Sequence, residues 1–426
     1  MMMHPISRMV ATRAEGSNDG LVSVCSAHPR VITVALIEAA RHGLIALIEA
    51  TCNQVNQEGG YTGMQPAEFR QLVLKLARDA GVGTDSLILG GDHLGPNPWR
   101  NLPADEAMAR AEVMIAAYAA AGFTKLHLDC SMGCKGEAAA LEDDEVAKRA
   151  VRLCRAAEAA VPAGAPRPVY IIGTEVPVPG GATGPHAVEV TSDEAARRTL
   201  ALHQEAFDTA GLADVFQTRV HGLVVQPGIE FDNSDVLRYR PEDSANLSRC
   251  LADTPGIVFE AHSTDYQTPA ALAALVRDGF AILKVGPALT FAMREALYGL
   301  DRMAGFLGRE GPTLVRTMEE LMLAEPGDWA PYCRDDDRAR AFERHYGLSD
   351  RIRYYWQQPQ ARVAEAQLLN WLSGSRIDTG MFRACLPQLW GNRIELDEKL
   401  IPEQLIHLAI AKELRPYYAA TSGKRQ

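Results

Sequence analysis

Three histidines lie within or at the end of short apolar runs. His93 follows SLILGGD and stands beside Asp92, His221 lies in RVHGLVVQ, and His262 closes GIVFEAH. Each run has the length of one strand, and the carboxyl ends of parallel barrel strands meet at one face. Three imidazoles at such a face form a catalytic zinc set whose fourth position stays open. The three histidines are therefore predicted to bind one divalent metal; a hydrogen-bonded core position is the alternative for each.

Other polar residues end or follow further apolar runs. They are candidates for catalysis and substrate binding, because barrel enzymes carry reactive groups at the carboxyl ends of strands. Asp129 could instead orient a histidine ligand or cap a turn. Lys284 resembles a Schiff-base lysine, but beside a metal it is expected to neutralise carboxylates or hold phosphate. The catalytic candidates are Asp92 and Glu175, and the substrate-binding candidates are Asn53, Gln54, Asp129, Gln226, Ser263 and Lys284.

Eight short runs of β-branched and other apolar residues must position these side chains. Longer segments with apolar residues three and four apart separate the runs, and this spacing indicates helices. Repeated strand-helix units predict a parallel sheet, and eight of them predict a closed TIM (β/α)8 barrel of the α/β class. The predicted strands span residues 21–25, 44–50, 86–92, 125–129, 168–175, 219–226, 256–262 and 281–286.

The pattern changes near residue 307, where the chain becomes helical and richer in aromatic residues and Arg. We predict a barrel catalytic domain over residues 1–306 and a C-terminal helical extension over 307–426. The extension either covers one mouth of the barrel or forms a subunit interface, and the pattern does not choose between them. A homo-oligomer is compatible with both.

Charge and composition exclude several classes of partner. The net charge of -11 disfavours nucleic acid and anionic membranes, which need clustered positive charge. The chain has neither a run of about 18 apolar residues nor an apolar leader, so we expect a cytoplasmic protein. The eight cysteines show no disulfide framework.

Four segments resemble those of class II, metal-dependent fructose-bisphosphate aldolases. They are GGDHLG (90–95), IIGTE (171–175), VHGLVVQPG (220–228) and FEAHS (259–263). The resemblance implies that His93, His221 and His262 are metal ligands. It also implies that Asp92 is the acid/base carboxylate and that Glu175 is the glutamate nearby.

A more specific resemblance covers almost the whole chain. CSAHP, GGDHLGPN, GTEVPVPGG, VVQPG, EAHSTDYQT, ILKVGPALTFA and LSDRIRYYW are similar to segments of the GatZ/KbaZ family of tagatose-bisphosphate aldolase subunits. That family includes non-catalytic partners of class II aldolases and, as its metal-bearing branch, ketose-phosphate 4-epimerases. A complete histidine triad favours the epimerase branch. The expected activity is then the interconversion of D-tagatose 6-phosphate and D-fructose 6-phosphate in galactitol and tagatose catabolism.

This resemblance also leaves alternatives open. A non-catalytic subunit that stabilises a class II D-tagatose-1,6-bisphosphate aldolase is the second reading, and an aldolase that releases the aldehyde is the third. Zn²⁺ is the metal most expected, although imidazole ligands also accept manganese and cobalt.

Departures from the aldolase pattern bear on the substrate. Where those aldolases use Gly-rich backbone to hold the phosphate on C1, this chain has His262-Ser263-Thr264-Asp265 and residues 286–289. Asp265 would repel a phosphate, so C1 is expected to carry none. Arg351 and Arg353 are then candidates for holding the phosphate on C6, and a solvated or interface helix face is an equal alternative for both.

Overall fold

Eight parallel strands close into a barrel, as the alternating pattern predicts. The computed structural model describes residues 3–174, 188–391 and 399–423. Around the barrel each strand pairs with the next along the chain, and β8 pairs with β1. The strands are β1 (Leu21–Cys25), β2 (Ala46–Thr51), β3 (Leu87–Leu94), β4 (Lys125–Leu128), β5 (Val169–Ile172), β6 (Val220–Val224), β7 (Val258–Ala261) and β8 (Phe280–Val285).

Helices follow the strands and continue through the C-terminal part of the chain. Proline stands at the start of many of them, where its missing N–H costs no hydrogen bond. In chain order the helices are α1 (Pro5–Ala14), α2 (Pro29–His42), α3 (Pro66–Asp79), α4 (Ala104–Ala120), α5 (Asp143–Ala160), α6 (Asp193–Thr209), α7 (Ala213–Arg219), α8 (Pro241–Arg249), α9 (Pro269–Arg277), α10 (Pro287–Phe306), α11 (Leu314–Ala324), α12 (Asp337–Tyr346), α13 (Pro359–Leu372), α14 (Thr379–Cys385) and α15 (Pro402–Thr421). None of the helices described is long and apolar enough to cross a membrane.

Helix α1 closes the amino end of the barrel. Its side chains Ile6, Met9 and Val10 pack in one cluster with residues from the strands, such as Leu47 and Ile88. Burying these apolar side chains stabilises the closed floor by roughly 1.5–3 kcal/mol for each. Substrate must therefore enter from the carboxyl end.

The middle of the barrel carries buried charge in place of an all-apolar layer. Lys125 lies between Glu49 and Glu260, with Nζ at 2.6 and 2.8 Å from their carboxylate oxygens, and all three side chains are fully buried. Ser23 donates to Glu49 Oε1 at 2.6 Å. A buried charge is tolerated only when it is paired, so these groups must fold as one unit.

Helix α15 completes the outer ring of helices. It packs against α2 and α9, the helices that follow β1 and β7. The Tyr418 hydroxyl donates to the Ala35 carbonyl at 3.0 Å, and the Gly20 N–H donates to the Thr421 carbonyl at 3.0 Å. The helical C-terminal segment is thus confirmed. Because α15 contacts both α2 and α9 of the barrel and α13 of the predicted extension, the boundary after residue 306 stays a prediction.

Buried histidines predict a loss of stability in acid. Burial lowers the pKa of His203, in α6, to about 4, so the folded protein keeps this ring neutral where the unfolded chain protonates it. The free energy of unfolding is therefore unaffected by this histidine above pH 6.5. It falls by roughly 3 kcal/mol as the pH drops from 6.5 towards 4, because protonation of the ring then favours the unfolded chain. Urea unfolding of His203→Leu at pH 7.5 and 4.5 should therefore show a smaller acid loss than the original protein. Equal losses in the two proteins would refute this account.

Candidate metal centre

The end of β3 brings Asp92 and His93 into the barrel through an irregular backbone. The register with β4 shifts between Gly91 and Leu94, and His93 has a φ of 47°. A non-glycine residue in the left-handed region is strained and is held only by its surroundings. Here the His93 N–H donates to Asp92 Oδ1 at 2.8 Å.

Two further histidine rings face His93. The ring centroids of His127 and His262 lie 5.2 and 4.9 Å from that of His93 and 5.4 Å from each other. His127 belongs to β4, and His262 directly follows β7. Three imidazoles do converge at the carboxyl end of the barrel, but His127 is one of them and His221 is not.

Four of these side chains could hold a metal ion. One ligand atom from each of Asp92, His127, Glu260 and His262 lies within 4.8 Å of the others. The set of two imidazoles and two carboxylates suits zinc and other first-row divalent metals. His127 Nε2 is buried without a hydrogen-bond partner among the described residues, so this nitrogen is available to bind a ligand. The residues present therefore fit a divalent metal.

Carboxylates orient two of the histidines. Asp129 Oδ2 lies 2.7 Å from His93 Nδ1, and Asp92 Oδ1 lies 2.9 Å from His127 Nδ1. With its Nδ1 proton donated to Asp129, the ring of His93 turns an unprotonated Nε2 away from that carboxylate, which is the form that binds a metal. Burial and the charge of Lys284 lower the pKa of His262 to about 3, so the ring of His262 is neutral at neutral pH.

Lys284 lies at the centre of the carboxylates. Its Nζ contacts Asp92 and lies 3.4 Å from Glu260 Oε1 and 3.8 Å from Glu49 Oε2. Burial lowers the pKa of Lys284, but Asp92 and the other negative groups raise it well above its ordinary value. A Schiff base needs a neutral amine, so this environment disfavours Schiff-base chemistry.

Asp92 is held in its ionised form. Burial raises the pKa of its carboxyl group, but the charge of Lys284 and the hydrogen bond with His127 outweigh burial and keep the pKa well below the usual range. The carboxylate that lines the cleft is therefore unprotonated at neutral pH.

The charges at the centre do not balance by themselves. With the imidazoles neutral, as metal ligands must be, four carboxylates face two ammonium groups and two negative charges remain. A divalent cation would neutralise that excess. The carboxylates are Glu49, Asp92, Asp129 and Glu260, and the ammonium groups are those of Lys125 and Lys284.

A cleft at the carboxyl end of the barrel opens onto this centre. It holds about 750 Å³ of unfilled space, part of it open to solvent. Arg353 and Tyr354, from the predicted extension, form part of its wall beside Tyr61, so this segment does reach the barrel mouth. The predicted residues that line the cleft are Asn53, Gln54, Asp92, His93, His262, Ser263, Lys284 and Arg353.

His221 lies at the opposite end of the barrel, so its predicted position is wrong. It is the second residue of β6, and its Nε2 is 2.8 Å from the Ser7 hydroxyl of α1. Its Nδ1 is 3.0 Å from the carbonyl of Gly256, which precedes β7. The side chain links α1 to the residue that precedes β7, and this position agrees with the core alternative for His221.

Other predicted residues lie outside the cleft lining. Asp129 contacts Nδ1 of His93, which agrees with the alternative that it orients a histidine. The Gln226 side-chain oxygen accepts from the N–H groups of Gly228 and Ile229, so it shapes the loop after β6. The guanidinium of Arg351 stacks on Tyr332, 3.4 Å from the ring centroid, rather than in the cleft. Glu175 lies outside the described residues.

Sequence reasoning missed His127, Glu260, Glu49 and Lys125. Each lies inside an apolar run, where a polar residue is easily taken for an exposed position. Lys125, His127 and Asp129 stand two apart, as do Glu260 and His262. Residues two apart share one face of a strand, so this spacing is the signal that could have found them.

Fold and site together define a class of protein: a (β/α)8 barrel whose carboxyl-end cleft opens onto a buried centre able to hold a divalent metal. The particular family follows from sequence comparison. A family profile described as "D-tagatose-1,6-bisphosphate aldolase subunit GatZ/KbaZ-like" matches residues 6–422, and the chain belongs to this family.

Individual relatives differ in the names they carry. The "D-tagatose 6-phosphate 4-epimerase" of Agrobacterium fabrum is 50% identical over 99% of each chain. The "D-tagatose-1,6-bisphosphate aldolase subunit GatZ" of Salmonella dublin is 46% identical over 97% of this chain and 98% of its own. A crystal structure of a "probable tagatose 6 phosphate kinase" from Sinorhizobium meliloti is 49% identical, with a TM-score of 0.87 over 94% of this chain and 100% of its own.

Proposed function

We propose that the protein is a metal-dependent 4-epimerase that interconverts D-tagatose 6-phosphate and D-fructose 6-phosphate in galactitol and tagatose catabolism in the cytoplasm. The observation that carries the proposal is the donor set of Asp92, His127, Glu260 and His262, of which Asp92 and His262 line the cleft. The epimerase relative at 50% identity supports the choice of reaction. Zn²⁺ is the metal we propose.

Asp92, His127, Glu260 and His262 would hold the metal, with His93 beside them. A divalent cation bound there would supply Lewis-acid stabilisation of the negative charge that develops on the C2 and C3 oxygens of a ketose. The ammonium group of Lys284 adds positive charge at the same place. Asp129 keeps the ring of His93 in one orientation.

Asp92 is the proposed base for the C4 hydroxyl. Asp92 offers one carboxylate oxygen to the donor set, and because the ionised carboxylate also lines the cleft, its other oxygen can take that proton while the C3–C4 bond breaks. If the aldehyde then turns and is attacked on its other face, the proton returns and C4 is inverted. Glu175 remains our second proposed acid/base group.

The remaining residues of the cleft would hold the sugar. Asn53 and Ser263 can meet hydroxyl groups, whereas the Gln54 side-chain oxygen already accepts from the Thr51 N–H at 3.0 Å. The Arg353 guanidinium donates to the Tyr354 hydroxyl at 3.0 Å and lines the cleft, which makes it the proposed anchor for the phosphate on C6. Arg351, on Tyr332, is not proposed for this role.

The decisive experiment uses the purified protein alone, stripped of metal and then reloaded with zinc. NMR of D-tagatose 6-phosphate incubated with it should show D-fructose 6-phosphate in the zinc-loaded sample and none in the stripped one. Release of triose products would instead indicate an aldolase. Because one relative is described as a kinase, a parallel sample contains ATP and Mg²⁺, and ATP consumption there would contradict the proposal.

A second function is favoured by the Salmonella relative, which is described as an aldolase subunit. In that case the protein alone leaves the sugar unchanged but stabilises a separate class II aldolase. The thermal inactivation rate of that aldolase, measured with and without this protein, separates the two functions.

A further inference from the structure

A turn at the mouth of the barrel points two backbone N–H groups at one carboxylate. The N–H groups of Gly286 and Ala288 donate to Asp265 Oδ1 at 3.0 and 2.8 Å. They mark the start of α10, whereas Asp265 comes from the loop after β7. The side chain of Asp265, from the loop after β7, therefore accepts hydrogen bonds from the backbone that follows β8.

Such a pair of N–H groups is an anion site in many proteins. Unsatisfied N–H groups and the helix dipole at an amino terminus attract phosphate, sulfate or carboxylate. Gly286 caps α10 and has no side chain that could satisfy these groups. Asp265, which lies 21 residues before Gly286 in the chain, supplies the acceptor. Its carboxylate therefore occupies the place that a bound anion would take.

Asp265 also faces the cleft. It lines the same space as His262, Lys284 and Arg353, and only 2% of its surface is exposed. Burial raises the pKa of Asp265 to about 6 against the effect of its backbone hydrogen bonds, so the carboxylate still carries its charge at neutral pH. A ligand phosphate arriving here would find both N–H groups occupied and a negative charge in its way.

We propose that Asp265 is the residue by which the cleft rejects a second phosphate: its carboxylate fills the backbone anion site at α10, so that a ketose 6-phosphate binds and the matching 1,6-bisphosphate does not. In this proposal the uncharged C1 end of the sugar lies against Asp265. The inference rests on the proposed function only in taking ketose phosphates as the ligands.

The first test uses inorganic phosphate as the probe and needs no catalysis. Asp265→Gly vacates the two N–H groups, so calorimetry should show phosphate binding at least about tenfold tighter than in the original protein. Unchanged phosphate affinity in Asp265→Gly would overturn the proposal, whether or not the protein proves to be an epimerase.

The second test measures Kd for D-tagatose 6-phosphate and D-tagatose 1,6-bisphosphate in the zinc-loaded protein. The preference for the monophosphate should fall at least about tenfold in Asp265→Gly and about threefold in Asp265→Asn, which keeps the acceptor oxygen but loses the charge. Because Asp265→Asn preserves the helix cap, it decides the question even if Asp265→Gly does not fold. A preference that stays within about twofold of the original in Asp265→Asn contradicts the proposal.

Asp301→Asn is the matched control. Asp301 is also buried and also accepts a backbone N–H at the start of a helix, from Val315 of α11 at 3.1 Å, but it does not line the cleft. The Asp301→Asn variant should be less stable than the original protein but should keep the same preference between the two sugars. A shift in preference in this control equal to that in Asp265→Asn would show that the effect is one of general stability, and would overturn the proposal. If the original protein binds neither sugar, the proposed function fails and the phosphate experiment alone decides the role of Asp265.

Discussion

Zinc is expected to leave the protein when His127 is replaced by Ala and to stay when His221 is replaced. Loss of an orienting carboxylate at a metal site commonly weakens binding 10–100-fold, so loss of a direct ligand should weaken it at least about 100-fold. His127 is one of four side chains whose ligand atoms lie within 4.8 Å of one another. His221 lies at the other end of the barrel, on Ser7.

The measurement is the metal content of each purified variant, followed by titration of the stripped protein with zinc. Asp129→Asn should weaken zinc binding less than His127→Ala does, because it keeps all four proposed ligands and loosens only His93 beside them. His221→Ala should instead lower the stability of the fold by about 1 kcal/mol, since it removes two partly buried hydrogen bonds, to Ser7 and to the Gly256 carbonyl. Zinc lost from His221→Ala and kept by His127→Ala would contradict the assignment of ligands.

The second large effect is expected from Lys125→Met. This change leaves the fully buried carboxylates of Glu49 and Glu260 without the ammonium group that lies 2.6 and 2.8 Å away. Breaking a buried ion pair from one side typically costs about 3–5 kcal/mol, because the remaining charge has lost its compensation. Urea unfolding should show a loss of that size.

Two variants make this result specific. Lys75→Met removes an ammonium group from an exposed pair with Asp79 and should cause no measurable loss. Adding Glu49→Gln to Lys125→Met should recover part of the stability, because it removes one of the uncompensated charges. A loss below about 1 kcal/mol in Lys125→Met would show that Lys284 alone satisfies both carboxylates.

The strands could be predicted because each is a short apolar run. The predicted run 21–25 coincides with β1, and all eight runs overlap their strands. What the pattern could not show is where a strand begins inside a longer run. RVHGLVVQ covers residues 219–226, but β6 is Val220–Val224, which puts His221 at the amino end. Which end of the barrel a residue reaches depends on this offset.

The centre itself depends on contacts that no single run contains. Lys125 of β4 reaches Glu49 of β2 and Glu260 of β7, three strands that lie apart in the chain. Spacing by two shows that Lys125 and His127 share a face, but not that this face points inward. Which face points inward is set only when the barrel closes. The same closure determines whether a charged residue is solvated or forms part of a metal centre.

Helix α15 has a consequence for how the chain is made. The helix begins at Pro402, 117 residues after β8 ends at Val285. Its Tyr417 hydroxyl nevertheless donates a hydrogen bond to the Thr264 carbonyl, in the loop after His262. At about 5–20 residues per second, a ribosome needs about 6–25 s to pass from one to the other. During that interval the nascent barrel exposes the apolar flank that α15 will cover.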